Sequence, residues 1–235
     1  MCNLYRQSSG PQAIMDMANA MRSTAGNLAP GDVYPDYAAP IVRTGGDGVR
    51  ELAVARWGMP SSSRAIYEAA TKRADKLRAK ATEFDFQELL KMEPDGGTTN
   101  VRNTASAHWK RWLEPSHRCL VPFTAFSEPG RDVAGKYRPV WFKLAGDDPE
   151  PLAFFAGIHL PGWQGVRKIK TKWETADLFA FLTTDPSEPV KSVHPKAMPV
   201  ILTQPDEIEA WMTASWLEAR ALQRALPASS LVVLP

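Results

Sequence analysis

The chain has 235 residues, 44% apolar and 23% charged, with 28 lysines and arginines against 26 aspartates and glutamates. This composition excludes disordered, collagen-like and coiled-coil chains, and the length suffices for a full core without a disulfide or metal staple. A net charge of +2 shows no large polyanion-binding surface in the totals, though a balanced sum leaves room for a local basic patch. Two cysteines cannot build a disulfide framework, and neither a signal-peptide core nor a membrane-length apolar run is present, so a soluble, cytoplasmic protein is expected.

Ile14, Met17, Ala18 and Met21 fall at i, i+3, i+4 and i+7, which predicts a helix opening near Pro11 and ended by Gly26 and Asn27. Prolines 30, 35 and 40 mark extended chain leading to a strand at Ile41 to Arg43. The Gly45, Gly46, Asp47, Gly48 turn then leads into a second strand, Glu51 to Trp57. Ser61 to Ser63 can cap a helix in the following stretch, where Lys72, Arg73, Lys76, Arg78 and Lys80 face only Asp75. This is either a solvated helical face or a basic flank for nucleic acid. A polar loop, Glu93 to Thr99, precedes Asn100-Val101-Arg102 and a short helix, Ser106 to Leu113.

Four β-rich runs follow: Arg118 to Ser127, Val140 to Ala145, Leu152 to His159, and Phe179 to Thr184. A strand at Met198 to Thr203 precedes two amphipathic helices, opened by Asp206-Glu207 and by Thr213. With no βαβ rhythm, repeat or interdomain linker, the pattern predicts a single α+β domain over 1–235 with a largely antiparallel sheet.

Dinucleotide, P-loop, hydrolase-elbow and zincin motifs are absent, and His108, His117, His159 and His194 lack metal-ligand spacing, so neither metal nor cofactor is expected. His108, His117 and His159 read as structural or surface residues, and Cys119 as core. Cys2 stands apart, because removal of Met1 would leave a 1,2-aminothiol. Its amine, with an ordinary pKa of about 7.7–8.0, can attack an aldehyde, and its sulfur can close a five-membered thiazolidine on the imine carbon. Such a terminus needs a proton donor and acceptor and an orienting group. Glu128 after an apolar strand, His194 in a Val-His-Pro turn, and Asn100 and Arg102 on one extended segment are candidates that singly read as ordinary polar residues.

Met-Cys at the start, W-G-M-P at 57–60, N-V-R at 100–102, R-C-L-V-P-F-T-A-F-S-E at 118–128 and V-H-P-K-A-M-P-V-I-L at 193–202 together resemble the SRAP family of SOS-response-associated peptidases, or abasic-site processing proteins. The resemblance implies a barrel-like β core with flanking helices, and binding of single-stranded DNA carrying an abasic site; a monomer is the default expectation. It further implies that Cys2, freed of Met1, crosslinks to the sugar aldehyde. By motif position Asn100 would position Cys2, Glu128 would act as acid and base on the sugar, and His194 would assist imine formation and reversal. Arg102 would contact the DNA backbone, Trp57 would lie beside the DNA cleft, and Arg56 is a further DNA-contact candidate. The same resemblance implies self-processing peptidase activity that releases Met1.

Several positions depart from the family pattern: Asn3 and Leu4 in place of Gly-Arg, Thr104 in place of a glutamate, Pro129 and His159 in place of tryptophans, and the long basic stretch Ser61 to Met92. These bear on DNA affinity and strand preference more than on chemistry, and Arg43, Arg56 and the basic residues at 72–80 are candidates to replace the missing arginine. Two other functions fit the residues: an N-terminal-nucleophile cysteine peptidase or amidohydrolase acting on peptides in trans, and a non-catalytic single-stranded DNA-binding module.

Overall fold

The structure, a computed structural model, describes residues 2–131 and 134–234. In chain order it runs β1 (Leu4–Gln7), α1 (Pro11–Ala18), β2 (Arg22–Ser23), β3 (Gly31–Val33), β4 (Ala38–Thr44), β5 (Arg50–Trp57), α2 (Ser63–Ala79), α3 (Phe86–Lys91), β6 (Asn100–Val101) and α4 (Ala107–Lys110). The second half adds β7 (Arg118–Phe123), β8 (Ala125–Arg131), β9 (Tyr137–Leu144), β10 (Ala153–Val166), β11 (Trp173–Thr184), α5 (Val190–Val193), β12 (Met198–Pro199), β13 (Ile201–Leu202), α6 (Pro205–Thr213), α7 (Trp216–Ala219) and β14 (Leu231–Val233).

Five strands close on themselves. β5, β4, β7, β10 and β11 pair in that order through antiparallel ladders, and β11 returns to β5 through the parallel pairs Leu178 with Arg56 and Phe179 with Trp57. Closure removes the exposed edges that a twisted sheet would otherwise present. A second sheet, ordered β14-β9-β8-β1-β3, packs against this ring. Among the described residues no helix is long and apolar enough to cross a membrane.

Period-two alternation sends successive ring residues to opposite faces. One face carries Ile41, Ala55, Trp57, Val121, Phe155, Phe179 and Phe181, packed with Cys2, Tyr5, Phe126 and Phe142 of the second sheet and the chain leading into it. The other carries Val42, Leu52, Leu120, Phe154, Ile158 and Ala180, covered by Ile14 of α1, Trp112, and Ile208 and Trp211 of α6. Aromatic contacts tie the first face together: Phe123 stacks on Phe155 at 3.9 Å, and Tyr5 meets Trp57 edge-on at 5.2 Å.

Several boundaries differ from the sequence expectation. α1 stops at Ala18 because Asn19 takes a left-handed conformation (φ 51°) that caps the helix, which leaves Met21 exposed. The run 118–127 is two strands broken at Thr124, with β8 continuing through Glu128 to Arg131. The last helix begins at Trp216 behind Ser215, which caps it together with Glu218, rather than at Thr213.

A candidate active site around Cys2, Asn100, Glu128 and His194

Cys2 leads directly into β1, which pairs antiparallel with β8 in the register Leu4 with Ser127 and Tyr5 with Phe126. Alternation along β8 puts Glu128 on the same side as Phe126, toward the core that holds Cys2 and Tyr5. The strand pairing therefore carries a carboxyl group to the chain terminus across more than 120 residues of sequence.

Asn100 arrives from a third direction. β6 pairs in parallel with β11, Asn100 opposite Phe181. The preceding segment is anchored by the Met59–Thr98 bridge and by the Trp57 indole N–H, which donates to the Thr99 carbonyl at 3.0 Å. From there the Asn100 amide Nδ2 donates to the Cys2 carbonyl at 2.7 Å and to Thr99 Oγ1 at 2.8 Å. Its Oδ1 is buried and accepts no hydrogen bond from the described residues. His194 follows α5, whose Val193 packs near Gly130 of β8, and its Nε2 lies 3.8 Å from Glu128 Oε2.

Electrostatics follow from this burial. Glu128 is fully buried, and desolvation pushes its carboxyl up from 4.5 to about 7. Desolvation lowers the His194 imidazole, and nearby Lys196 adds to the effect. The Cys2 thiol, also fully buried, is driven well above its ordinary value by desolvation and then by the Glu128 carboxylate. Near neutral pH the cluster thus holds a protonated thiol, a neutral imidazole and a carboxyl group poised between its two states, a combination suited to moving protons.

The remaining sequence-derived candidates are placed differently. Arg102 reaches the cluster's rim, where its guanidinium donates to the carbonyls of Thr184 and Lys196 and to the Asp185 carboxylate, bracing the end of β11 against the His194 turn. Trp57 is fully buried and packs against Phe181 and Tyr5, so it supports the Asn100 segment from inside the core and presents no face to a base. Arg56 projects to the opposite face of β5 and makes a bidentate pair with Glu174 at 3.0 and 3.2 Å. His159 is buried on the ring, its imidazole held low, to about 4, by desolvation and by Arg43. Arg43 itself is committed to Glu51 and Asp177. Met1 lies outside the described residues. Sequence reasoning missed Tyr5, Thr99 and Gln223. Tyr5 is fully buried beside Trp57, its phenol driven well above its ordinary value chiefly by desolvation, and Gln223 binds the Arg102 and Thr183 carbonyls. The alternating Leu4-Tyr5-Arg6-Gln7 run is a faint strand signal that could have pointed to Tyr5.

Fold and site together define a single α+β domain whose closed five-stranded ring and second sheet bring an N-terminal cysteine to a buried carboxyl group. The family model for SRAP, SOS response associated peptidase, matches residues 1–235, and the chain belongs to that family. Membership supports a role connected with DNA damage and a peptidase-like or DNA-processing activity. The fold is shared with solved structures of low identity. One, from Bordetella bronchiseptica, is 22% identical with a TM-score of 0.63 over 99% of this chain and 98% of its own. Another, from Bacteroides thetaiotaomicron, is 19% identical with a TM-score of 0.66 over 99% and 90%. A phage-related protein from B. bronchiseptica is 18% identical with a TM-score of 0.65 over 100% and 93%. Among curated proteins no match is found.

Proposed function

We propose that this chain, once Met1 is removed, binds single-stranded DNA bearing an abasic site and joins Cys2 to the sugar aldehyde as a thiazolidine. The observation that carries the reading is the convergence on Cys2. Asn100 holds its carbonyl at 2.7 Å, Glu128 is close enough to raise its thiol, and His194 stands 3.8 Å from Glu128.

The chemistry follows from the protonation states. An abasic sugar is mostly a closed hemiacetal, and Glu128, near half-protonated at neutrality, can give a proton to the ring oxygen and take one from the hydroxyl. The Cys2 amine adds to the freed aldehyde, and loss of water leaves an imine. Sulfur then adds to the imine carbon while the thiol proton passes to nitrogen, so the net reaction is aminothiol plus aldehyde to thiazolidine plus water. A buried, protonated thiol favours amine attack first and ring closure second. A neutral His194 can relay the protons. The same cluster would serve release of Met1.

The test is a denaturing gel of the protein mixed with single-stranded oligonucleotides, abasic or intact. The reading predicts a denaturation-resistant adduct with the abasic strand alone, abolished in Cys2→Ala and slowed roughly 100-fold or more in Glu128→Gln. Peptide cleavage in trans without any adduct would favour the N-terminal-nucleophile peptidase, and strand binding unaffected by Cys2→Ala, without an adduct, the non-catalytic module.

A further inference from the structure

A shallow concavity of about 740 Å³ lies on the C-terminal side of Arg102, lined by Thr104, Lys110, Trp216, Leu217, Arg220 and Gln223 among others. It is continuous with the rim of the candidate site: Gln223 Nε2 donates to the Arg102 carbonyl at 2.9 Å, and Thr104 Oγ1 donates to Gln223 Oε1 at 2.9 Å. Its charge sets it apart. Four other surface concavities each include a carboxylate among their lining residues: Glu209, Glu83 with Asp85, Glu93 with Asp95, and Glu51. This one is lined by two exposed cations and no carboxylate, and neither Lys110 nor Arg220 forms an ion pair with the described residues. The nearest acid in sequence, Glu218, is committed to the Ser215 N–H and hydroxyl at the start of α7.

Apolar surface accompanies the charge. Leu217 is 70% exposed, and Trp216 is anchored on one side against Trp211 while another part lines the concavity. Unpaired cations with apolar and aromatic surface between them match a backbone of phosphates separated by sugars and bases.

We propose that this groove binds the strand flanking the abasic site, with Lys110 and Arg220 on successive phosphates and Leu217 and Trp216 against a sugar or base. The proposal rests on the DNA reading above and adds to it a second contact region, built largely from the C-terminal helices, outside the residues that do the chemistry.

The test is anisotropy of a labelled, undamaged single strand titrated with the full chain across a salt series, for wild type, for Lys110→Gln with Arg220→Gln, and for the exposed pair Lys170→Gln with Lys172→Gln, which does not line the groove, as a control of equal charge change. The groove predicts that its double variant lowers the slope of log affinity against log salt by about 1.4 and weakens binding roughly tenfold or more at low salt. It also predicts an unchanged adduct rate at saturating abasic strand and a control pair that stays near wild type. An unchanged slope, or an equal loss in the control pair, overturns the groove. If wild type forms the adduct but the slope does not move, the groove alone fails. If the slope falls as expected but no adduct forms, the covalent reading alone fails.

Discussion

At the residue scale the account depends on Glu128 being a buried carboxyl that holds its proton. Because the folded chain binds that proton more tightly than the unfolded one, the associated stability is fully present below about pH 4.5 and is lost as pH rises through about 7. Glu128→Gln should therefore be more stable than wild type at pH 8–9, by up to about 3 kcal/mol, and melt higher there, while forming the adduct roughly 100-fold or more slowly. Equal melting of the two proteins across that range would show that the carboxyl carries no burial penalty. Asn100→Ala should cost about 1–3 kcal/mol, since it leaves the buried Cys2 carbonyl without its 2.7 Å donor, and should slow the adduct as well. Thermal melts and adduct rates on the same variant separate the two effects. The sequence showed these residue types but not their environments. A glutamate after an apolar run is legible as costly if buried, whereas the value near 7 depends on a strand pairing that no local pattern encodes. The same limit hid the environment of Trp57, which is fully buried and whose indole fastens the Asn100 segment from within the core.

At the scale of elements, the longer strands and the paired helices were legible because period-two and period-3.6 patterns need several residues to show. β1 has four residues and β6 two, below that threshold, yet these short pieces deliver Cys2 and Asn100. The parallel closure of β5 on β11 joins residues 56 and 178, a long-range pairing set by packing rather than by local preference. Packing on the ring is tight at Gly157, where an added Cβ would lie 2.7 Å from Cys119 Sγ and 3.1 Å from the Cys119 carbonyl oxygen. Gly157→Ala should destabilise the fold by about 1–3 kcal/mol, read as a lower denaturation midpoint at unchanged slope. An unaltered midpoint would mean that β7 and β10 separate more easily than their packing indicates.

At the scale of the whole molecule, two buried acids of opposite character set the pH range of stability. Burial alone would raise Glu51, but its bonds to Arg22 and Arg43 prevail and hold its carboxyl below the ordinary value. Its contribution is present above the unfolded value and disappears as pH falls through the depressed folded one. Glu128 acts in the other direction, so stability should peak between mildly acidic and neutral pH, and Glu128→Gln should remove only the alkaline decline. A melting-temperature profile against pH for wild type and this variant checks both limbs. The ion pairs among Arg22, Glu51, Arg43 and Asp177 brace one part of the ring, while the buried Glu128 carboxyl costs stability above neutrality elsewhere in the fold.

The most direct test of the central claim is the intact mass of the protein after incubation with a single-stranded oligonucleotide bearing one abasic site. The account predicts a species lacking Met1 whose mass is raised by that of the oligonucleotide less one water, and no such species with Cys2→Ala or an undamaged strand. A protein that has lost Met1, retains a free Cys2 and gains no mass would contradict it.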